Sequence, residues 1–383
     1  MRKLPILLAA GAALGSAGFA LATPALSPLA TFGGGDGWLA PGEGGYAYLG
    51  TGNLERGMAY NPVTGHVLLV SRANPTGTNG QNVRILDGST GADLGGLQGT
   101  GTLAAGGATF AVNMVGVADD GAIYVNNLMT SATGTFRVFR WDNEAAAAPT
   151  TAYEASVGGL PRVGDNFDVF GSGANTRLVS AGGGTTLNSN FAAFTTGDGL
   201  AYTAQAYPSI AGTSSGTTND FRLGITFTDS DTIVGSQGGF TNPPTNSIVA
   251  PSRVVDFSGA LATVVANPVF STGSQRLMDF AVIAGIPVLA VQDTVSSSVY
   301  FYNFVDPTNP TLLISGNNTT GTLTGNGNGV GQVKFGAITG DTAVVYAMST
   351  NQGIQAFSFT VPEPATMSLL AVGAAGLLRR RRV

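Results

Sequence analysis

The chain has 383 residues, of which only 10% carry a charged side chain, and it contains no cysteine and a single histidine, His66. These counts exclude disulfide frameworks, thiol chemistry and metal sites built from several histidines. Without the two basic residues near the amino terminus, and without Glu363 and four arginines near the carboxyl terminus, 11 basic and 21 acidic residues remain, a net charge of −10. This acidic balance, with Lys334 as its one lysine, argues against a nucleic-acid partner.

The first 22 residues have the pattern of a secretory signal peptide. Arg2-Lys3 is a short basic segment, and an apolar run extends from Leu4 to Leu21. Ala20 and Ala22 occupy the two small positions of an Ala-x-Ala cleavage site. The sequence therefore predicts export, with Thr23 as the first residue of the mature chain.

Between the termini, a short apolar segment with a small or acidic central residue recurs six times, at intervals of 52 to 57 residues. The copies are Met58–Tyr60, Val115–Val117, Phe167–Val169, Leu223–Ile225, Phe280–Val282 and Phe335–Ala337. Each copy is followed by turn residues, by a second apolar strand and by a third strand that is richer in aromatic residues. Weaker fourth strands follow several copies. Four strands repeated every ~55 residues are typical of β-propeller blades.

The repeats predict an all-β fold: a single six-bladed β-propeller of four-stranded blades over residues 23–360. The blades start near residues 56, 113, 165, 221, 278 and 333. The last unit has only three clear strands, whereas a spare strand-like segment, Pro28–Phe32, precedes the first unit. A ring leaves fewer free edges when one terminus completes the last blade, so we expect this segment to close it. The alternatives are a row of β-sandwich domains, which requires linkers, and a parallel β-helix, which requires a much shorter repeat.

Residues 361–383 form a separate tail. Pro362, Glu363 and Pro364 precede an uncharged run, Ala365–Leu378, which is followed by the basic cluster Arg379, Arg380, Arg381 and Arg382. As a helix with about 1.5 Å rise per residue the run covers roughly 21 Å, so it crosses the ~30 Å hydrocarbon core only with snorkelling arginines and local thinning. The arginines favour a cytoplasmic carboxyl terminus.

This order of residues closely resembles the PEP-CTERM sorting signal of exported bacterial proteins. The resemblance implies that a membrane-embedded exosortase cuts the chain near the Pro-Glu-Pro motif. It also implies subsequent release or transfer to the cell surface, usually in bacteria that make an exopolysaccharide matrix. We therefore expect a chain that is transiently anchored in the membrane and is then found at the cell surface or outside the cell. The resemblance covers the last 23 residues and implies no biochemical activity.

In a propeller the innermost strands line a central channel, at whose mouth ligands commonly bind. Eight polar residues enter or occupy the predicted inner strands: Arg56, Asn113, Asp165, Asn166, Asp168, Arg222, Asp279 and Lys334. We predict a binding site among them, and the alternative is that they bond only one another and channel water. Asp168 is the one charged residue at the centre of a repeat, where a charge is costly unless it is paired or hydrated, and Arg222 and Arg56 are its candidate partners.

The sequence predicts no cofactor. His66 follows a turn and is interpreted as a structural residue. Three aspartate turns, Asp119-Asp120-Gly121, Asp229-Ser230-Asp231 and Asp306-Pro307, leave Ca²⁺ as an alternative, but none has the twelve-residue calcium-loop pattern and aspartate is common in tight turns. Four aromatic residues are candidates either for stacking on sugars or for packing between blades: Trp38, Trp141, Tyr300 and Tyr302.

The leading functional hypothesis is a non-enzymatic, exported propeller that binds polysaccharide or a protein partner in the cell envelope or extracellular matrix. An extracellular polysaccharide lyase or hydrolase is the first alternative, with Asp168, Asp279 or Asp165 acting together with Arg222 and Lys334. A structural surface protein that self-associates is the second alternative. The tail adds an exosortase-type protease as a processing partner.

Overall fold

Six antiparallel sheets account for most of the described chain. The computed structural model describes residues 23–361 without 73–82, 101–102, 104–107, 184–189, 213–220, 237–251, 271–273 and 322. The predicted signal peptide and the apolar tail lie outside the described residues. Within them no helix is long and apolar enough to cross a membrane, and three short 3₁₀ turns occur, at Gly33–Gly35, Glu43–Gly45 and Gly173–Asn175.

Each sheet is one blade, and the apolar segments of the sequence repeat form its inner strands. The innermost strands of blades 1 to 6 are Glu55–Tyr60, Phe110–Val117, Val163–Phe170, Gly224–Asp229, Gln275–Ile283 and Gly331–Thr339. The second strands are His66–Ser71, Ile123–Leu128, Arg177–Gly182, Thr232–Ser236, Ile286–Asp293 and Thr342–Ser349. The third strands are Val83–Asp87, Phe136–Trp141, Phe191–Thr196, Arg253–Asp256, Val299–Asn303 and Ile354–Thr360. The fourth strands of blades 1 to 5 are Asp93–Gly96, Thr150–Ala155, Tyr202–Tyr207, Ala262–Ala266 and Thr311–Gly316, and Ile210–Ala211 adds a short parallel strand to blade 4.

The ring is closed by the amino-terminal segment. Ala25–Pro28 is the fourth strand of blade 6 and pairs antiparallel with Ile354–Thr360, with Leu26 opposite Phe359. Trp38–Leu39 pairs with the other end of the same strand. Closure from the amino terminus is therefore confirmed, although the predicted segment Pro28–Phe32 begins three residues too late.

The closing strand ends at Pro28 because the next apolar residues form a turn. The Phe32 N–H donates to the Leu29 carbonyl at 2.9 Å. This turn places the Phe32 ring, which is fully buried, 5.9 Å from the ring of Tyr346. Phe32 and, in part, Leu29 therefore pack into the core between blades 6 and 1.

Each innermost strand contacts the innermost strand of the next blade, and blade 6 contacts blade 1 in the same way. Small residues permit this close approach. A Cβ atom at Gly224 would lie 1.9 Å from the carbonyl oxygen of Arg276 in blade 5, and one at Gly116 would lie 2.4 Å from a methyl group of Val169 in blade 3. Glycine at these positions therefore sets the spacing of neighbouring blades, since larger residues would overpack the contact.

Aromatic side chains fill the spaces between and within the blades. Trp141 is fully buried and donates from its ring nitrogen to the Gln98 carbonyl at 2.8 Å, and Trp38 donates to the Gln352 carbonyl at 2.9 Å. Tyr302 is also buried. These three candidates for sugar stacking are packing residues, because their rings are closed off from solvent.

Candidate functional site

Six of the eight predicted site residues lie in two clusters at different levels of the central channel, and the two asparagines belong to neither cluster. Asp168, Asp279 and Lys334 meet with Thr226, a residue that the sequence analysis missed, and we call these four residues the lysine cluster. Asp165 and Arg222 lie where the inner strands begin. Four arginines interact electrostatically with Asp165: Arg56, Arg72, Arg162 and Arg222. We call these five residues the arginine cluster.

The lysine cluster joins blades 3, 4, 5 and 6 through side chains. Lys334 Nζ donates to Asp168 Oδ1 at 2.6 Å and to Asp279 Oδ1 at 3.0 Å. Thr226 Oγ1 lies 2.8 Å from Asp168 Oδ2 and 3.2 Å from Asp279 Oδ1. A hydroxyl group has one proton, so Thr226 donates to one carboxylate at a time.

Backbone amides of the next blade hold both carboxylates in place. The Phe227 N–H of blade 4 donates to Asp168 Oδ2 at 2.9 Å. In the same way, the Phe335 N–H of blade 6 donates to Asp279 Oδ2 at 2.7 Å. Each aspartate therefore connects the inner strand of its own blade to that of its neighbour, and it is oriented without help from a ligand.

The lysine cluster has one basic and two acidic groups in a buried setting. Burial raises the pKa of Asp279 above its usual range, and the negative charge of Asp168 adds to this effect while Lys334 opposes it. For Lys334, burial alone would lower the pKa, but the two carboxylates outweigh it and raise the pKa above its ordinary value. The ammonium group is therefore charged at neutral pH, and Asp279 holds a proton to higher pH than a solvated aspartate does.

The prediction that Arg222 or Arg56 pairs with Asp168 is wrong, because Lys334 is its partner. Arg222 Nε lies 3.3 Å from Asp165 Oδ2, and Arg56 donates to the Asn53 carbonyl at 3.2 Å. Arg56 lies at the start of its strand and Arg222 lies ahead of its own strand, whereas Asp168 lies beyond the middle of blade 3's inner strand. The two arginines therefore reach only the level of Asp165.

Gln332, which the sequence analysis did not single out, crosses the channel. Its Oε1 accepts from the Met58 N–H of blade 1 at 2.6 Å, and its Nε2 donates to the Phe167 carbonyl of blade 3 at 2.9 Å. Lys334 follows two residues later on the same face of the strand and also reaches blade 3. The channel is thus bridged at two successive levels, by Lys334 within the lysine cluster and by Gln332 next to it.

The two predicted asparagines join inner strands of neighbouring blades. Asn113 Nδ2 donates to the Gly164 carbonyl of blade 3 at 2.6 Å, and Asn166 Nδ2 donates to the Leu223 carbonyl at 2.9 Å, just ahead of blade 4's inner strand. Both side chains are buried. For these residues the ring-closing alternative describes the observed contacts.

A cavity of about 310 Å³ lies beside the lysine cluster, on the side of the ring where the inner strands end. It is lined by all four residues of the cluster and by Asp119, whose pKa burial raises. Five aromatic residues also line it: Tyr60, Phe170, Phe227, Phe280 and Phe335. Its volume is at the lower end of the ~300–1,000 Å³ found for ligand pockets. Charged hydrogen-bonding groups and aromatic walls suit a small polyhydroxylated ligand, because hydroxyl groups pair with the former and C–H faces pack on the latter.

The arginine cluster surrounds Asp165 with positive charge. Arg162 binds both carboxylate oxygens of Asp165, with Nη2 2.7 Å from Oδ1. Arg72 follows the second strand of blade 1, donates to Asn113 Oδ1 and lies over the Phe110 ring, 3.1 Å from its centroid. Burial lowers the pKa of Arg72 to about 8, and Arg56 acts in the same direction while Asp165 opposes it. Arg72 and Arg162 were missed because neither belongs to an inner strand.

His66 and the aspartate turns have structural partners. His66 Nδ1 lies 2.6 Å from Glu144 Oε2, which connects blades 1 and 2. Asp120, Asp229 and Asp306 accept backbone N–H groups from Gly173, Asp231 and Thr308, respectively, each at 2.9 Å. No group of three or more histidine or acidic residues that could hold a metal ion occurs in the part of the chain that the structure describes.

Comparison with known proteins supports the sorting signal and the fold. Residues 360–382 match the PEP-CTERM protein-sorting motif, and no curated protein sequence matches the chain. A DUF4623 family protein from Bacteroides eggerthii is similar with a TM-score of 0.60 at 16% identity, over 88% of this chain and 75% of the other. The Malassezia sympodialis allergen Mala s 1 gives 0.47 at 11% identity, over 80% and 92%. PorZ, a surface component of the type-IX secretion system of Porphyromonas gingivalis, gives 0.43 at 12% identity, over 79% and 38%.

The motif implies export and exosortase-dependent sorting to the cell surface. The similarity to the Bacteroides protein shows the propeller fold alone, because only 16% of the aligned residues are identical. The class that emerges is a surface-sorted six-bladed β-propeller.

Proposed function

We propose that the protein is a non-enzymatic binding module of the cell surface or extracellular matrix, which takes a sugar residue of a polysaccharide into the cavity beside the lysine cluster. The observation that carries this proposal is the pairing of charged hydrogen-bonding groups with aromatic walls in one cavity. Phe170 stands at its open side with 38% of its surface exposed, and its ring lies 5.6 Å from that of Phe227. The exposed ring of Phe170, backed by the buried ring of Phe227, offers a flat apolar surface to a sugar ring.

The carboxylates of the lysine cluster support binding rather than catalysis. Both are already held by Lys334 and by a backbone N–H group, so they are fixed acceptors with little freedom to approach or leave a reacting atom. Each carboxylate retains lone pairs that accept hydroxyl protons. A preorganised, partly satisfied acceptor pair favours recognition of sugar hydroxyl groups.

Glycoside hydrolysis is a second candidate, because one observation favours it. Asp168 and Asp279 lie within reach of the same ammonium group, and burial raises the pKa of Asp279. Glycosidases use two carboxyl groups, one of which is kept protonated by a raised pKa. In such an enzyme Asp279 would be the acid and Asp168 the ionised partner.

A pull-down of residues 23–361 with the producing organism's own exopolysaccharide tests both candidates. We expect retention of the wild-type protein and about five-fold weaker binding of Phe170→Ala, since an aromatic contact contributes ~1 kcal/mol. Leu261→Ala is the matched control, because Leu261 is 77% exposed and does not line the cavity, and we expect it to bind as the wild type does.

The size of the polysaccharide distinguishes the candidates. Constant polymer length together with retention supports the binding module. Shortening of the polymer that ceases in Asp279→Asn would establish the hydrolase instead. Absence of both retention and shortening would contradict both candidates.

The tail has two roles in the proposed route to the surface, as a membrane anchor and as a cleavage motif. We propose that residues 365–378 hold the exported chain transiently in the membrane until an exosortase cuts near Pro362-Glu363-Pro364. Ending the chain after Val361 is expected to move the protein from the membrane fraction into the medium, because both the anchor and the cleavage motif are lost. Fractionation of the producing organism and immunoblotting would measure this. A truncated protein that still sediments with membranes would contradict the anchor.

A further inference from the structure

The arginine cluster has more positive charge than its acids neutralise. Arg162 and Arg222 both act on Asp165, and the same carboxylate is the acid that acts on Arg72. Glu55, next to Arg56, is the second acid, and its carboxylate accepts from the Asn351 N–H at 3.3 Å. Four guanidinium groups therefore face two carboxylates at the start of the inner strands, in a chain whose mature part is acidic as a whole.

Two of these arginines have unsatisfied donors. The Nε atoms of Arg56 and Arg72 are buried and have no hydrogen-bond acceptor within the described residues. Arg72 is the extreme case: only 9% of its surface is exposed, and its one side-chain acceptor there is the neutral amide oxygen of Asn113. Buried donors without acceptors are costly, so such a group of donors is normally completed by an additional acceptor.

An oxyanion has the chemistry that this cluster lacks. Carboxylate, sulfate and phosphate groups offer several acceptor oxygens, and guanidinium groups bind them through paired, charge-assisted hydrogen bonds. Burial lowers the pKa of Arg72, because its charge is incompletely compensated. A negatively charged ligand would raise this pKa again, because it stabilises the protonated guanidinium group. The half-buried Arg162 and Arg222, whose side chains are 26% and 21% exposed, leave solvent access to the cluster.

We propose that the arginine cluster is an oxyanion-binding site that takes the carboxylate or sulfate substituent of an acidic polysaccharide. Gln332 bridges the channel between this site and the lysine cluster beside the cavity, so we expect the two sites to bind separate groups. The choice of a polysaccharide rests on the proposed function, whereas binding of an oxyanion does not. If the protein does not bind polysaccharide, oxyanion binding by the arginine cluster can still be tested separately.

Titration of residues 23–361 with inorganic sulfate at low ionic strength, followed by calorimetry, tests the site directly. We expect one sulfate per chain, with an affinity that falls as sodium chloride is added. Arg72→Gln is expected to weaken binding at least about ten-fold, because a charge-assisted interaction is lost. Asp165→Asn is expected to strengthen it several-fold, because the internal carboxylate that competes for the arginines is removed.

Two control variants define the specificity of these effects. Arg177 makes a partly exposed ion pair with Asp231 at 3.7 Å, outside the cluster, so Arg177→Gln is expected to bind sulfate as the wild type does. Phe170→Ala changes only the cavity, so it too is expected to leave sulfate binding unchanged. If Arg72→Gln does not fold, the more exposed Arg222→Gln replaces it, with the same expected direction.

Absence of sulfate binding, or sulfate binding that is equal in the wild type, Arg72→Gln and Arg222→Gln, would overturn the site. A competition arm identifies the source of the anion. Displacement of sulfate by a uronate-containing polysaccharide, but not by a neutral one of similar length, supports the polysaccharide substituent. Sulfate binding that neither polymer displaces would restrict the site to free inorganic anions and overturn that part of the proposal.

Discussion

Replacing Lys334 with methionine is expected to lower the free energy of unfolding by about 3 to 5 kcal/mol, because it leaves two buried carboxylates without their cation. Asp168 and Asp279 accept hydrogen bonds at 2.6 and 3.0 Å from the ammonium group, and methionine supplies no donor in its place. Urea denaturation of residues 23–361, followed by tryptophan fluorescence, would measure the change. Arg177→Met, which removes a partly exposed ion pair, is the control and should change stability by less than about 1 kcal/mol.

The cause of the Lys334 effect can be tested by removing the charge that is left behind. Combining Lys334→Met with Asp168→Asn and Asp279→Asn leaves no ionised group in the cluster, so we expect much of the lost stability to return. A triple variant as unstable as Lys334→Met would contradict the electrostatic explanation and would point to lost packing of the lysine side chain.

The dependence of stability on pH follows from the raised pKa of Lys334. The unfolded lysine titrates near pH ~10.4, so the stabilisation is complete below that value and is lost as pH rises through the higher pKa of the folded protein. We expect the wild type to lose this contribution in alkaline solution and Lys334→Met to lack it. Equal alkaline slopes in the two proteins would contradict the ion-pair assignment.

Deleting residues 24–36 is expected to destabilise the ring by at least about 4 kcal/mol. The deletion removes the fourth strand of blade 6 and exposes the third strand, Ile354–Thr360. It also removes Phe32, which is fully buried, and loss of a buried phenylalanine side chain alone costs about 3 to 5 kcal/mol. The midpoint of thermal unfolding, followed by circular dichroism, would measure the effect.

Two further measurements would establish that the effect comes from ring closure. A synthetic peptide of residues 23–40, added to the deleted protein, is expected to raise the midpoint of unfolding towards that of the intact chain. Thr31→Ala is the control within the same segment, because Thr31 donates one solvent-exposed hydrogen bond to the Ser89 carbonyl. Unchanged thermal stability of the deletion would contradict closure by the amino-terminal strand.

The six blades were predictable because the signal for each blade is local. Apolar segments, turn residues and aromatic third strands recur along the chain without reference to distant residues. A closing strand from the amino terminus was predicted correctly, but its position was predicted three residues too late. The apolar residues Leu29 and Phe32 suggest a strand, whereas Phe32 enters the core from a turn. Local pattern does not distinguish these two ways of burying a side chain.

The partners within the channel were less predictable. Lys334 and Asp168 belong to blades that are opposite each other in the ring. Their contact depends on how far one inner strand is shifted along the channel axis relative to the other, and these two strands share no backbone hydrogen bonds. Gln332 crosses the same gap and resembles any other polar residue in the sequence. Arg72 enters the arginine cluster from beyond a second strand, where no repeat marks it. Register across the ring is a tertiary property, and a single sequence has no signal for it.

The pairing of Ala25 with Thr360 brings the two ends of the propeller to one corner of blade 6. Any pull transmitted through Val361 enters Ile354–Thr360, which is held on one side by Thr342–Ser349 and on the other by Ala25–Pro28. Two hydrogen-bonded ladders therefore share the load, whereas an edge strand would have only one. The strand next to the tail would therefore resist extraction by force better than an edge strand does. The amino-terminal strand that completes the ring supplies one of the two ladders that resist this force.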